Sequence, residues 1–121
     1  MQDGKLTQRT KDLALSAIKL DQMLPRTRIA DVLGRRLVQS ATQVGAEYRT
    51  LKRCRTPDDQ SARLALVLQE AERTDYWLEL LIESGSVSSA RASDVRNAIT
   101  DVSALAIGSL HANNVKTSLG L

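Results

Sequence analysis

Four stretches of this chain carry apolar residues at helical spacing, and the short breaks between them hold both prolines and the best-placed glycine. No stretch alternates as a strand does, so apolar surface can be buried only by packing helix on helix. The first stretch covers about residues 10–24, where Leu13, Ala17, Leu20 and Leu24 recur at steps of four, three and four before Pro25 closes it. The second covers about residues 28–53 and repeats Ile29, Leu33, Leu37, Ser40, Val44, Tyr48 and Leu51. Beside that stripe runs one of small residues, Gly34, Val38, Ala41 and Gly45. Each Gly inside a helix costs up to about 1 kcal/mol relative to Ala, a cost that close approach of a neighbouring helix would offset.

Thr56-Pro57-Asp58-Asp59 is a helix start: a Thr cap, a Pro where no N–H is missed, and two acids at the positive end of the helix dipole. A third helix is therefore expected over about residues 57–84, with Gly85 as its left-handed cap. Past the Ser-rich link at 86–89, Val95, Ala98 or Ile99, Val102, Leu105 or Ala106, and Ser109 or Leu110 mark a fourth over about residues 90–111. Residues 1–8 and 113–121 carry no such pattern and are expected to be flexible. Four long helices on short links predict one all-α domain over residues 1–121, an antiparallel up-down-up-down four-helix bundle.

Composition narrows the chemistry. At 121 residues the chain can bury roughly two-thirds of its unfolded surface, so it needs neither disulfide nor metal to fold. Cys54 and His111 are its only Cys and His, which leaves zinc sites, di-iron bundles and Cys/His catalysis short of ligands. No nucleophile elbow, Gly-rich phosphate loop or paired-carboxylate motif frames the remaining polar residues. The expectation is a non-enzymatic protein without metal or cofactor. Met1 to Lys11 is polar, and no apolar run approaches the roughly 18 to 20 residues that span a bilayer, so a cytoplasmic protein without a membrane partner is expected.

Charge is unevenly spread. Residues 26–55 sum to +6 and residues 56–85 to −5, inside a chain of net charge +3. On the second helix Arg28, Arg35, Gln39, Thr42, Arg49 and Arg53 share one face, with Arg36, Lys52 and Arg55 nearby. Such a row of guanidinium groups suits a phosphate backbone of RNA or DNA, bound with an affinity that falls steeply with salt. The competing expectation is that Glu72, Glu79, Glu83, Asp58 and Asp59 consume these charges within the bundle or between subunits. Aromatic residues make up only 2% of the chain, too few for the stacking platforms of sequence-reading RNA modules, so binding should be directed at the backbone.

The third helix is apolar on more than one side. Leu64, Leu68, Ala71, Leu78 and Ile82 form a first stripe, interrupted by Asp75, for which Arg36 is the available partner unless water reaches it. Leu66, Glu70, Arg73, Trp77 and Leu81 form a second, which suggests a subunit interface anchored by Trp77.

The segments Arg9-Thr10-Lys11-Asp12-Leu13-Ala14, Leu24-Pro25, Leu37 through Arg49 with its Ser-Ala-Thr-Gln-Val-Gly-Ala-Glu-Tyr-Arg run, and Glu70-Ala71 leading to Tyr76-Trp77-Leu78 resemble the 23S ribosomal RNA intervening-sequence proteins, bacterial four-helix-bundle proteins. The resemblance spans about residues 9–112. It implies a ring-shaped homo-oligomer, a homopentamer in that family. It also implies a distant kinship with accessory proteins of diversity-generating retroelements, basic barrels that engage nucleic acid and a reverse transcriptase. Three positions depart from the family pattern: Glu47 where Asn is usual, Gln39 where a base is common, and Arg73 where Glu is common. The first two weaken an inherited nucleic-acid surface, and the third rewires an interface ion pair. The expected function is nonspecific RNA or DNA binding through Arg28, Arg35, Arg36, Arg49, Lys52, Arg53 and Arg55, with self-association and with a nucleic-acid enzyme as a candidate partner; the alternative is an interaction scaffold without nucleic acid.

Overall fold

The computed structural model describes residues 2–120, with side chains from residue 4 onward. Its helices are α1 (Gln2–Gln22), α2 (Arg28–Thr50), α3 (Pro57–Glu83) and α4 (Ser89–Ser118), and a 3-10 turn, Leu51–Arg53, extends α2; among the described residues there is no strand. Helix α1 packs against α2 and α4, and α3 packs against α2 and α4, while the diagonal pairs stay apart among the described residues. Ser40 meets Thr74 and Glu47, further along α2, meets Arg63, further back along α3, so these two helices run antiparallel. The result is a four-helix bundle.

The helix starts follow from local chemistry. Thr27, Thr56 and Ser88 each accept a hydrogen bond from the backbone N–H three residues on, at 3.1, 3.1 and 3.2 Å, and Pro57 fills the first turn of α3. Gly85 takes φ +80°, which lets the N–H of Ser86 reach back to the carbonyl of Leu81 at 3.0 Å and close α3. All four helices supply one core, including Leu6, Leu13, Leu37, Val44, Tyr48, Val67, Leu78, Leu81, Val95 and Val102. Each large apolar side chain so buried contributes about 1.5–3 kcal/mol.

The first and last helices both run further than the periodicity predicts. Residues 2–8 are helical rather than flexible, because Leu6 is buried one turn ahead of Thr10 and Leu13 and continues their stripe. Helix α4 continues past residue 111 to Ser118, because the buried Asn113 donates to the Pro57 carbonyl at 2.8 Å and to the Ser61 hydroxyl at 3.1 Å on the neighbouring helix. A polar anchor of this kind leaves no apolar signal. The buried stripe of α2 keeps Leu37, Ser40, Val44 and Tyr48 of the expected one and takes in Ala30, Gly34 and Ala41 from its small-residue side, while Ile29 is 55% exposed. Small residues win that side because α1 lies close against it.

Candidate nucleic-acid interface

Arg28, Arg35, Gln39, Thr42 and Arg49 project from the side of α2 opposite its buried stripe, and all are exposed. The 3-10 turn adds Lys52 and Arg53, and Arg55 follows before the cap of α3; these too are exposed. Arg35 pairs with Asp31 one turn before it, a contact open to solvent on both sides. Among the described residues the other ion pairs are Arg9 with Asp101, Arg63 with Glu47 and Arg73 with Glu70. The acids expected to consume the row, Asp58, Asp59, Glu72, Glu79 and Glu83, form no ion pair with it among the described residues. Arg28, Arg49, Lys52, Arg53 and Arg55 are left to solvent.

Arg36 leaves the row and turns toward α3. Its guanidinium carbon lies 5.8 Å from the centroid of the Trp77 ring system, a cation–π contact. Trp77 in turn meets Tyr76 at 5.2 Å between centroids, tilted by 57°. Arg36 and Trp77 border a groove of about 470 Å³ along the α2–α3 seam, lined by Arg36, Gln39, Ser40, Gln43, Glu70, Arg73 and Trp77. At its floor the Ser40 hydroxyl lies 3.0 Å from that of Thr74 beneath it, both residues being buried, and each hydroxyl also reaches a backbone carbonyl of its own helix.

Two expectations therefore change. Arg36, placed with the phosphate-binding row, and Glu70, Arg73 and Trp77, placed in a subunit interface, meet in a single groove. Leu81, expected on that interface, has no exposed surface: it belongs to the core, because the stripe that faces inward on α3 runs through Val67, Thr74 and Leu81 as well as Leu64, Ala71 and Leu78. Leu66, 40% exposed, lies further along the seam with Arg53, Cys54 and Arg63. Among the described residues Asp75 forms no ion pair with Arg36; it sits half-buried at the edge of the core.

Glu47, the acid that weakened the case for α2, is neutralised in place. Its carboxylate accepts from Arg63 at 2.8 Å and from the Gln43 amide at 2.8 Å. The hydrogen bond to Glu47 pushes the Arg63 guanidinium above its ordinary value, against the opposing effect of burial. Sequence periodicity did not single out Arg63, Gln43 or Thr74. Ser40 and Thr74 on apolar stripes, at positions a Val would fill, were the available signal. Among the described residues no three of His, Cys, Asp and Glu gather so as to hold a metal ion, and no helix is long and apolar enough to cross a membrane.

No family model matches the chain, and no curated protein does. Among solved structures, a crystal structure of a protein of unknown function from the S23 ribosomal protein family of Bacteroides thetaiotaomicron superposes with a TM-score of 0.84 at 25% identity. It covers 92% of this chain and 99% of that one. The likeness spans the whole bundle. It fits a distant family relationship and carries no assigned activity with it.

Proposed function

We propose that this chain is a non-enzymatic bundle that binds the phosphate backbone of RNA or DNA through the outer face of α2 and the 3-10 turn after it, without reading sequence. The observation that supports this reading most is the solvated row itself: Arg28, Arg35, Arg49, Lys52, Arg53 and Arg55 are exposed, and only Arg35 is engaged in an ion pair among the described residues. A straight helix offers charges at regular intervals along its length, and condensed counterions released by such a row supply most of a nonspecific affinity. The two acids of α2 are both engaged, Glu47 by Arg63 and Asp31 by Arg35.

A second reading has its own support. Tyr76, 53% exposed, stands beside half-buried Trp77, and Leu66, 40% exposed, lies further along the same helix; this apolar surface suits self-association, as a ring by resemblance, in a scaffold role. Fluorescence anisotropy of labelled RNA and DNA separates the two. The nucleic-acid reading requires saturable binding at low salt that Arg28, Arg35, Arg49 and Arg53 changed to Gln abolish. Unchanged anisotropy at low salt, with light scattering that reports an oligomer, would leave the scaffold in its place.

A further inference from the structure

We propose that the α2–α3 groove takes an unpaired base, stacked on Trp77, from a strand whose phosphates lie along the arginine row. Resting on the phosphate-binding reading of α2, this adds a preference for single strands over duplex. Trp77, the chain's largest aromatic side chain, lines the groove, and the Tyr76 ring packs against it from outside the lining. Every base has a π face, so such a platform accepts any sequence. Arg36 already lies over the indole, and a planar guanidinium there can stack with the base or reach the phosphate next to it.

The groove is continuous with the row. Gln39 belongs to both, standing between Arg35 and Thr42 on the outer face and lining the groove at the same time. A strand that follows the arginines therefore passes the groove mouth without leaving the surface. Gln39 and Gln43 present their amides one turn apart. Gln43 donates to Glu47 and keeps its carbonyl as an acceptor, while Gln39 makes no side-chain hydrogen bond among the described residues and offers both donor and acceptor to a base edge. Arg36 and Arg73 outweigh Glu70, so the lining is positive overall. Five of the seven lining residues end in charged or amide groups set around the indole, an arrangement that suits the flat face of a base and its phosphate. A duplex holds its bases in the stack and can offer only phosphates.

Trp77 is the chain's single tryptophan, so its emission reports on the groove directly. Labelled oligothymidylate and a duplex of matching length are each titrated against the intact protein, with label anisotropy and tryptophan emission read together. The expected result is quenching by the strand that saturates with its anisotropy, tighter binding of strand than of duplex, and little quenching by duplex. Trp77→Leu, which keeps an apolar group on the seam, should weaken the strand by about 5- to 150-fold, the worth of one base stack, and leave the duplex unchanged. If anisotropy rises for both probes while emission stays constant, the groove takes no base and only the backbone reading stands. If neither signal moves, both readings fall. Emission that shifts with protein concentration alone, in step with an oligomer in light scattering, would place a second copy on Trp77 and overturn the inference.

Discussion

Against α1, helix α2 presents Gly34, Ala41 and Gly45, and nearness does the holding: a Cβ at Gly34 would overlap the Asp21 carboxylate and the Leu24 side chain, and one at Gly45 would lie 3.4 Å from the Thr10 hydroxyl. Against α3, the same helix presents Arg36, Ser40 and Glu47, and each meets a specific group: the Trp77 ring, the Thr74 hydroxyl and the Arg63 guanidinium. One flank is fixed by shape and the other by chemistry. Shape needs small residues and leaves few polar groups to spare, whereas the polar flank keeps side chains that water, or a ligand, can still reach. With both flanks occupied, the remaining arginines of α2 have nowhere to point but outward.

The sharpest way to break this contrast is to overfill the flank held by shape. Gly45→Leu should destabilise the bundle by about 1–3 kcal/mol in denaturant titration, since the added carbons must displace Thr10 or push α1 away. A neutral result would mean that α1 is free to move off α2.

On the polar flank the effects are smaller and coupled. Thr74→Val should cost about 1 kcal/mol, and the double change with Ser40→Ala should cost less than the two singles added together, because each hydroxyl loses a partner that the other variant has already removed. Additive effects in that cycle would show that the two hydroxyls do not act on one another.

Glu47→Gln should have the least effect, a midpoint shift smaller than that of Thr74→Val, because the Arg63 side chain retains a third of its exposure and solvent screens the pair. The effect should shrink further at high salt. Because the Arg63 guanidinium is raised in the folded chain, its contribution is complete at neutral pH and on the alkaline side disappears only as pH rises through that strongly alkaline value. Stability that varied through Arg63 near neutrality would contradict this pairing.

The flank held by shape was the more legible in the sequence. Steps of three and four, the Thr56-Pro57 start and Gly85 located the helices, and the small-residue stripe marked where α2 and α1 come close. What escaped was the chemistry between residues far apart in the chain. Nothing local announces that Glu47 will find Arg63, or that Asn113 will reach Pro57 and carry α4 on to Ser118. Leu81 was misplaced for a related reason: on a helix apolar around much of its girth, spacing alone does not say which stripe faces inward. For the candidate site, the arginine row could be read directly because it needs no partner, whereas the groove exists only once α3 is laid beside α2.

The most direct test of a phosphate-binding α2 is the salt dependence of RNA or DNA affinity, followed by anisotropy across a series of salt concentrations. With the arginines on phosphates, log K should fall linearly with log salt, and changing Arg28, Arg35, Arg49 and Arg53 to Gln should flatten that slope by about 0.7 to 0.9 for each phosphate no longer engaged. A slope that the four substitutions leave unchanged would contradict it, and the solvated row of α2 would then have some other use.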